Sequence, residues 1–213
     1  MAHLRAERLW REMRRAMQTA RPWRFFEVLH RCGALHQLIP SLALAMGEPV
    51  AHGEAKDSRP VAALKRVCAT GEDASRRLAA TLLVCVDSDA AADTLARRLC
   101  SDRETARLLK QALAARPWCK SAARGDVEAL YQIAVLWRGF DPYADIEAPI
   151  AVCDAQREGP GVGPPLRAAL AAALGVSAGD LREQGVIGAE LGRRLAAARR
   201  EAMKAALKDR KQD

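Results

Sequence analysis

Apolar residues recur along this chain at spacings of three and four, and no stretch alternates with a period of two that reads as a strand. The pattern predicts an all-α protein. Residues 6–18 form the first helix, with Leu9, Trp10, Met13 and Met17 on one face. "TARPW" ends it, and Pro22 is suited to the first turn of the next helix. That helix, "WRFFEVLHRCGA", runs to Gly33, a residue that tolerates the left-handed conformation in which helices stop. A short helical stretch surrounds Pro40, and residues 47–60 read as a long polar loop. Helices are then expected over 61–70, 73–86, 89–99, 102–115 and 125–138, with Ser101 or Asp102 able to cap the fourth of these. "RGFDPYADIEAP" is a turn-rich connection, and 146–157 make one more helix. Gly and Pro fill six of eight positions in "EGPGVGPP" (158–165), which reads as a linker. Residues 166–213 hold two or three helices, the last long and basic.

Composition agrees with this picture. Half of the 213 residues are hydrophobic but only 4% are aromatic, so the core must be built from Ala, Leu and Val. Charge adds more. The net charge is +8, yet residues 1–31 carry eight arginines against three carboxylates, and residues 193–213 carry eight Lys/Arg against three. Each end is therefore +5, and the long middle is slightly acidic. Basic ends suit phosphate backbones or acidic partners. The six cysteines, Cys32, Cys68, Cys85, Cys100, Cys119 and Cys153, include no C-x-x-C spacing and are expected as free thiols in a reducing cytoplasm. The four histidines are not spaced to complete a zinc site. "MAHLRAERLW" lacks the apolar core of a signal peptide, and no apolar run approaches the roughly 20 residues of a membrane span.

Candidate chemistry is sparse. Gly185, Gly188 and Gly192 precede the last helix in a G-x-x-G-x-x-x-G spacing. That is neither of the nucleotide-binding glycine patterns, and no strand precedes it. Two readings stay open: a turn closed by Gly185 with Gly188 and Gly192 permitting close packing, or a helix N-terminus that approaches a nucleic-acid backbone. The last helix carries Arg193, Arg194, Arg199, Arg200, Lys204, Lys208, Arg210 and Lys211, with Leu191, Leu195, Ala198, Ala202 and Ala205 as its apolar stripe. The stripe holds no aromatic residue, which argues against a membrane surface. Asp87, Asp89 and Asp93 have no histidine nearby and suit capping and surface roles. His30 and His36 flank a Cys-Gly turn, and His52 stands alone in the polar loop. No Ser/His/Asp or Cys/His set is apparent.

The first 47 residues carry a resemblance. An E-R-x-x-x-E helix (Glu7, Arg8, Glu12) is followed by F-F-x-V-L-x-x-x-G-A-L-x-x-L-x-P, here Phe25, Phe26, Val28, Leu29, Gly33, Ala34, Leu35, Leu38 and Pro40. This resembles the C-terminal half of bacterial class II CCA-adding enzymes (tRNA nucleotidyltransferases), which share a superfamily with bacterial poly(A) polymerases. The "CGAL" turn looks more like the CCA-adding branch. Over about 180–205, "GVIGAELGRRLAAARREAM" is similar to the closing G-x-x-G-x-E-I-G-x-x-L element. The resemblance implies neck-end helices over 1–47, a helical body over 48–157, the linker 158–165 and a basic tail over 166–213. It implies a cytoplasmic tRNA-binding part that grips the acceptor and T arms, with Arg193, Arg194, Arg199, Arg200 and Lys204 on phosphates, and with Arg8 and Glu12 bracing structure rather than touching substrate. RNA of that shape is held through its backbone.

Other parts of the family pattern are not found. Catalysis there needs a nucleotidyltransferase head whose G-S-x-x-x-D-x-D carboxylates hold two metal ions. That motif is not in these residues, nor is the upstream neck motif that reads CTP or ATP. Magnesium, CTP and ATP would belong to a head upstream or on a separate chain. Many members also carry an HD phosphohydrolase domain after the neck. In "LAATLLVCVD" Val84 and Cys85 fall where its His-Asp pair would be, and Pro60 falls near an earlier ligand histidine. Neither Val nor Pro ligates a divalent metal, so the body is expected as a degenerate HD scaffold. The other readings are a stand-alone RNA-binding protein and a non-enzymatic helical module that meets a protein partner.

Overall fold

The computed structural model describes the backbone of residues 2–48, 57–71, 73–183 and 185–209, and their fold is all-α. His52 and much of the polar loop, Arg210 and Lys211 lie outside the described residues. In chain order the helices are α1 (Ala2–Met17), α2 (Trp23–Arg31), α3 (Ala34–Leu38), α4 (Pro40–Met46), α5 (Arg59–Cys68), α6 (Ala74–Leu82) with a 3-10 turn at Leu83–Cys85, and α7 (Asp89–Leu99). They continue with α8 (Arg103–Ala122), α9 (Val127–Leu136), α10 (Glu147–Asp154), α11 (Gly163–Leu174), α12 (Ala178–Glu183) and α13 (Gly188–Asp209). The chain divides into two compact units, the first Met1–Ala114 with Ala148–Gly159, the second Ala115–Glu147 with Pro160–Asp213.

Local chemistry explains most boundaries. Gly33 adopts φ 75° between α2 and α3, where a side chain would be strained. Asp73, Ser88 and Asp126 each accept a hydrogen bond from a first-turn N–H of α6, α7 and α9. At α8 the cap is Asp102, which accepts from the Thr105 N–H at 2.8 Å, whereas the Ser101 hydroxyl is buried without a partner. Two differences from the sequence pattern have physical causes. α8 passes through Pro117 instead of ending before it. A mid-helix proline costs roughly 3 kcal/mol, and burial of Leu113, Ala115 and Ala122 on either side offsets it. α11 starts inside the expected linker, because Pro164 and Pro165 occupy its first turn, where their missing N–H groups have no intrahelical use. Val162, Gly163 and Pro165 are buried.

In unit 1, Trp10, Met13 and Met17 of α1 bury their side chains together with Phe26, Leu35, Leu42, Leu64 and Leu78 as its core residues. Arg77 of α6 is also buried. Its guanidinium donates to the carbonyls of Met17 and Gly71, so the charge ends on the negative terminus of α1 instead of being stranded. Arg14 and the Trp10 indole N–H both donate to Asp102, tying α1 to the start of α8. In unit 2, α13 packs on α11, α9 and α12. Met203 and Leu207 of α13 are buried, as are Leu130, Ile133, Leu166, Ala169 and Leu170 of its neighbours.

Candidate nucleic-acid interface

Gly185 and Gly188 lead into α13 with φ 77° and 61°. A Cβ built at Gly185, Gly188 or Gly192 would meet nothing within 4 Å. The first two are thus required by backbone conformation, and close helix packing is not what the glycines serve.

The docked face of α13 is not the alanine stripe read from the sequence. Leu191, Leu195, Ala198 and Ala202 are half-exposed and Ala205 is exposed, whereas Met203 and Leu207 are buried. Two arginines belong to the docked side. The Arg199 guanidinium lies 4.3 Å from the Phe140 ring centre, and that of Arg200 lies 3.6 Å from the Tyr131 ring centre. The two rings are themselves 5.5 Å apart. Arg200 also donates from Nε and Nη2 to the two oxygens of Glu128, at 2.7 and 3.2 Å. These bonds and one from Gln132 hold the Glu128 carboxyl below its usual range, and the Arg200 guanidinium is raised in turn. A guanidinium plane stacks on an aromatic face as an apolar group would, so the helix docks with a face that a count of apolar letters excludes.

The other three candidates face solvent. Side-chain exposure is 72% for Arg193, 56% for Arg194 and 53% for Lys204. Arg193 and Arg194 share the carboxylate of Glu190, with nitrogen–oxygen distances of 2.6 to 3.0 Å. Hydrogen bonds from Arg194 and Arg193 hold the Glu190 carboxyl below its usual range. Glu190 sits in the first turn of α13, where a negative charge also complements the helix dipole. Lys204 approaches Glu201 at 3.8 Å, too long for a hydrogen bond.

Unit 1 presents a second basic surface. Arg8, Arg11 and Arg15 are exposed on α1, on the side opposite Trp10, Met13 and Met17. Arg21 and Arg31 are exposed on and before α2. None of these five makes an ion pair among the described residues, whereas Arg24 pairs with Glu27 at 3.1 Å. Arg8 and Glu12 are both exposed and Glu7 is half-buried. Arg8 and Glu12, expected to brace the neck, therefore stand on the solvent face of α1. The +5 of this end is plain in the sequence, but charge alone does not single out its arginines. Their spacing at 8, 11 and 15, out of phase with the buried face, is the signal that does.

Pro60 sits at the start of α5, and Val84 and Cys85 lie in the 3-10 turn after α6. Among the described residues no group of three or more His, Cys, Asp or Glu side chains is placed to hold a metal ion. The described cysteines are free, and burial pushes the Cys85 thiol up to about 11. No helix among the described residues is long and apolar enough to cross a membrane.

Residues 1–46 match the family model described as "Probable RNA and SrmB- binding site of polymerase A". The chain is similar to multifunctional CCA proteins. That of Alcanivorax borkumensis is 53% identical over 49 residues, 23% of this chain and 12% of the relative. That of Teredinibacter turnerae is 38% identical over 84 residues, 38% of this chain and 20% of the relative. That of Nitrosococcus oceani is 47% identical over 47 residues, 22% of this chain and 12% of the relative. The match thus spans only 12–20% of these relatives' length. No solved structure matches the chain. The N-terminal helices of unit 1 are thus similar to the polymerase A RNA-binding model and to the CCA proteins, the segment on which the sequence already resembles CCA-adding enzymes.

Proposed function

We propose that this chain binds tRNA, gripping the acceptor and T arms through its basic helix faces, and that CCA addition depends on a nucleotidyltransferase head outside these 213 residues. The observation that carries this reading is a coincidence in unit 1. The segment that matches an RNA-binding family model also carries five exposed arginines, Arg8, Arg11, Arg15, Arg21 and Arg31, that make no ion pair among the described residues. An unpaired guanidinium on a helix face gives up only water when it meets a phosphate, whereas a paired one must first leave its carboxylate. Arg193, Arg194 and Lys204 form the second contact, and Arg199 and Arg200 serve mainly to hold α13 in place. Magnesium and the CTP or ATP substrate belong to the head. The body is a degenerate HD scaffold, a reading supported by Val84, which lines a cavity of unit 1 where a ligand histidine would be expected.

The test is tRNA binding followed by fluorescence anisotropy. Replacing Arg8, Arg11 and Arg15 by Ala is expected to weaken binding and to flatten the salt slope by about 2, on the order of 0.7–0.9 for each phosphate that is no longer neutralised. An unchanged slope would remove this surface from the interface. CCA addition when a head domain is supplied with magnesium, CTP and ATP is expected only in the presence of this chain. Binding without such stimulation points to a stand-alone RNA-binding protein.

A further inference from the structure

In unit 2 Trp137 is buried, and Tyr131 and Phe140 are half-buried against the arginines of α13. Tyr143, three residues after Phe140, is 94% exposed. Its ring therefore contributes almost nothing to the fold. The backbone that carries it is nevertheless closely held. Arg138 adopts the left-handed conformation, φ 57°, just after α9. Gly139 is buried, and a Cβ there would stand 3.2 Å from both terminal methyl groups of Leu170, so the chain passes tightly against α11. Asp141 ties the turn that follows. Its Oδ2 accepts from Arg138 Nη2 at 2.7 Å, its Oδ1 from the Tyr143 N–H at 3.0 Å, and its carbonyl from the Ala144 N–H at 3.0 Å. Pro142 fixes φ immediately before the tyrosine. Tyr143 is thus displayed by a turn that is tied on both sides of it.

Phe140 joins this turn to α13, since the Arg199 guanidinium lies 4.3 Å from its ring centre. Three residues span at most about 11 Å, so Tyr143 stands near the same stretch of the helix. Arg194 and Lys204, both exposed, lie five residues to either side of Arg199, about 7.5 Å along the axis. An aromatic face among exposed cations can take an unpaired base together with its flanking phosphates. The cations meet the backbone, and the ring offers a π-face to a base of any identity. Tyrosine suits this role because only two side-chain torsions are fixed when it binds. The neighbouring carboxylates are already engaged. Asp141 holds the turn with its side chain 30% exposed, and Asp145 Oδ1 accepts from the Glu147 N–H at 3.1 Å. One ring among cations fits a base better than it fits a protein partner, whose contact would bury a cluster of apolar side chains.

On the tRNA-binding reading, on which this inference rests, we propose that Tyr143 stacks on an unpaired base of the RNA, so that unit 2 holds RNA by a base as well as by phosphates. Loops and ends of an RNA offer such bases, and a fully paired duplex does not. The test is fluorescence anisotropy of the full chain with tRNA and with a blunt RNA duplex, from about 50 mM salt upward. Tyr143→Ala is expected to weaken tRNA binding about five- to hundredfold. Tyr143→Phe keeps the ring and is expected to stay within about twofold of wild type. The salt slope is expected to be the same in all three proteins, because no phosphate contact is lost. The duplex is expected to bind wild type and Tyr143→Ala alike. At 94% exposure the substitution leaves the fold intact, which an unchanged melting temperature would show. Wild-type binding of tRNA with an unaltered affinity in Tyr143→Ala overturns this proposal alone and leaves the ring to a protein partner. So does an equal loss in Tyr143→Phe, or an equal loss on the duplex. Failure of the wild-type chain to bind tRNA overturns the tRNA-binding reading, and this proposal with it.

Discussion

The two arginines stacked on aromatic rings should behave differently from the three exposed cations of the same helix, Arg193, Arg194 and Lys204, and the difference can be measured. Consider Arg199→Ala/Arg200→Ala against Arg193→Ala/Arg194→Ala/Lys204→Ala. For the first variant the structure predicts a loss of stability. Each cation–π contact is worth about 0.5–1 kcal/mol at a partly exposed site. The Arg200–Glu128 pair adds only about 0.5 kcal/mol, because its side chains are 33% and 51% exposed and water screens them. The total is about 2 kcal/mol, which for a chain of this size lowers Tm by about 4–8 °C. The salt slope of tRNA binding should change by less than about 0.5, since Arg200 is held by Glu128 and both guanidiniums lie over aromatic rings on the docked side. For the second variant the order reverses. Glu190 neutralises about one of its two arginines, so the three side chains together neutralise about two phosphates and the slope should flatten by about 1.5–2. Their removal should barely move Tm, because ion pairs this exposed contribute little. Thermal unfolding and anisotropy over a salt series give both numbers. If the Arg199/Arg200 variant flattens the slope as much as the other and melts at the wild-type temperature, the stacked arrangement is not what these residues do.

Two further outcomes follow from unit 1. Burial alone would raise the Asp102 carboxyl, but the Thr105 N–H and Arg14 outweigh it and hold it below its ordinary value near 3.8. A carboxyl with a depressed folded value contributes stability above its unfolded value and loses it as pH falls through the folded one. Asp102→Asn should therefore cost about 1 kcal/mol near neutral pH, and the gap to wild type should close below about pH 4 in urea unfolding followed across pH. The Cys85 thiol, pushed up to about 11, is about one part in a thousand thiolate at pH 8. Alkylation by iodoacetamide at that pH should modify the exposed Cys32 first, as peptide mass spectrometry of timed samples would show.

Much of the fold is legible in the sequence because its cues are local. The buried face of α1, the stop at Gly33 and the capping aspartates each depend on residues within a few positions of one another. The docked face of α13 is not legible, because its partners Glu128, Tyr131 and Phe140 are some sixty to seventy residues away in the chain. Without those rings in view, Arg199 and Arg200 count as polar and the alanines as apolar, which turns the helix by more than a third of a revolution at about 100° per residue. Pro117 misleads for a related reason, since what carries α8 past it is burial of neighbouring residues rather than any local signal. The basic surface of unit 1 is legible as charge but not as a site. The spacing of Arg8, Arg11 and Arg15 becomes informative only once Trp10, Met13 and Met17 are known to be buried.

The central claim is that basic helix faces of this chain hold tRNA through its phosphates. The most direct measurement is the affinity of the full chain for tRNA at ionic strengths from about 50 to 200 mM. The account predicts tight binding at the low end and a steep linear fall of log K with log salt, with a slope of about −4 to −6 for roughly five to seven neutralised phosphates. No detectable binding at about 50 mM, or an affinity indifferent to salt, would contradict it.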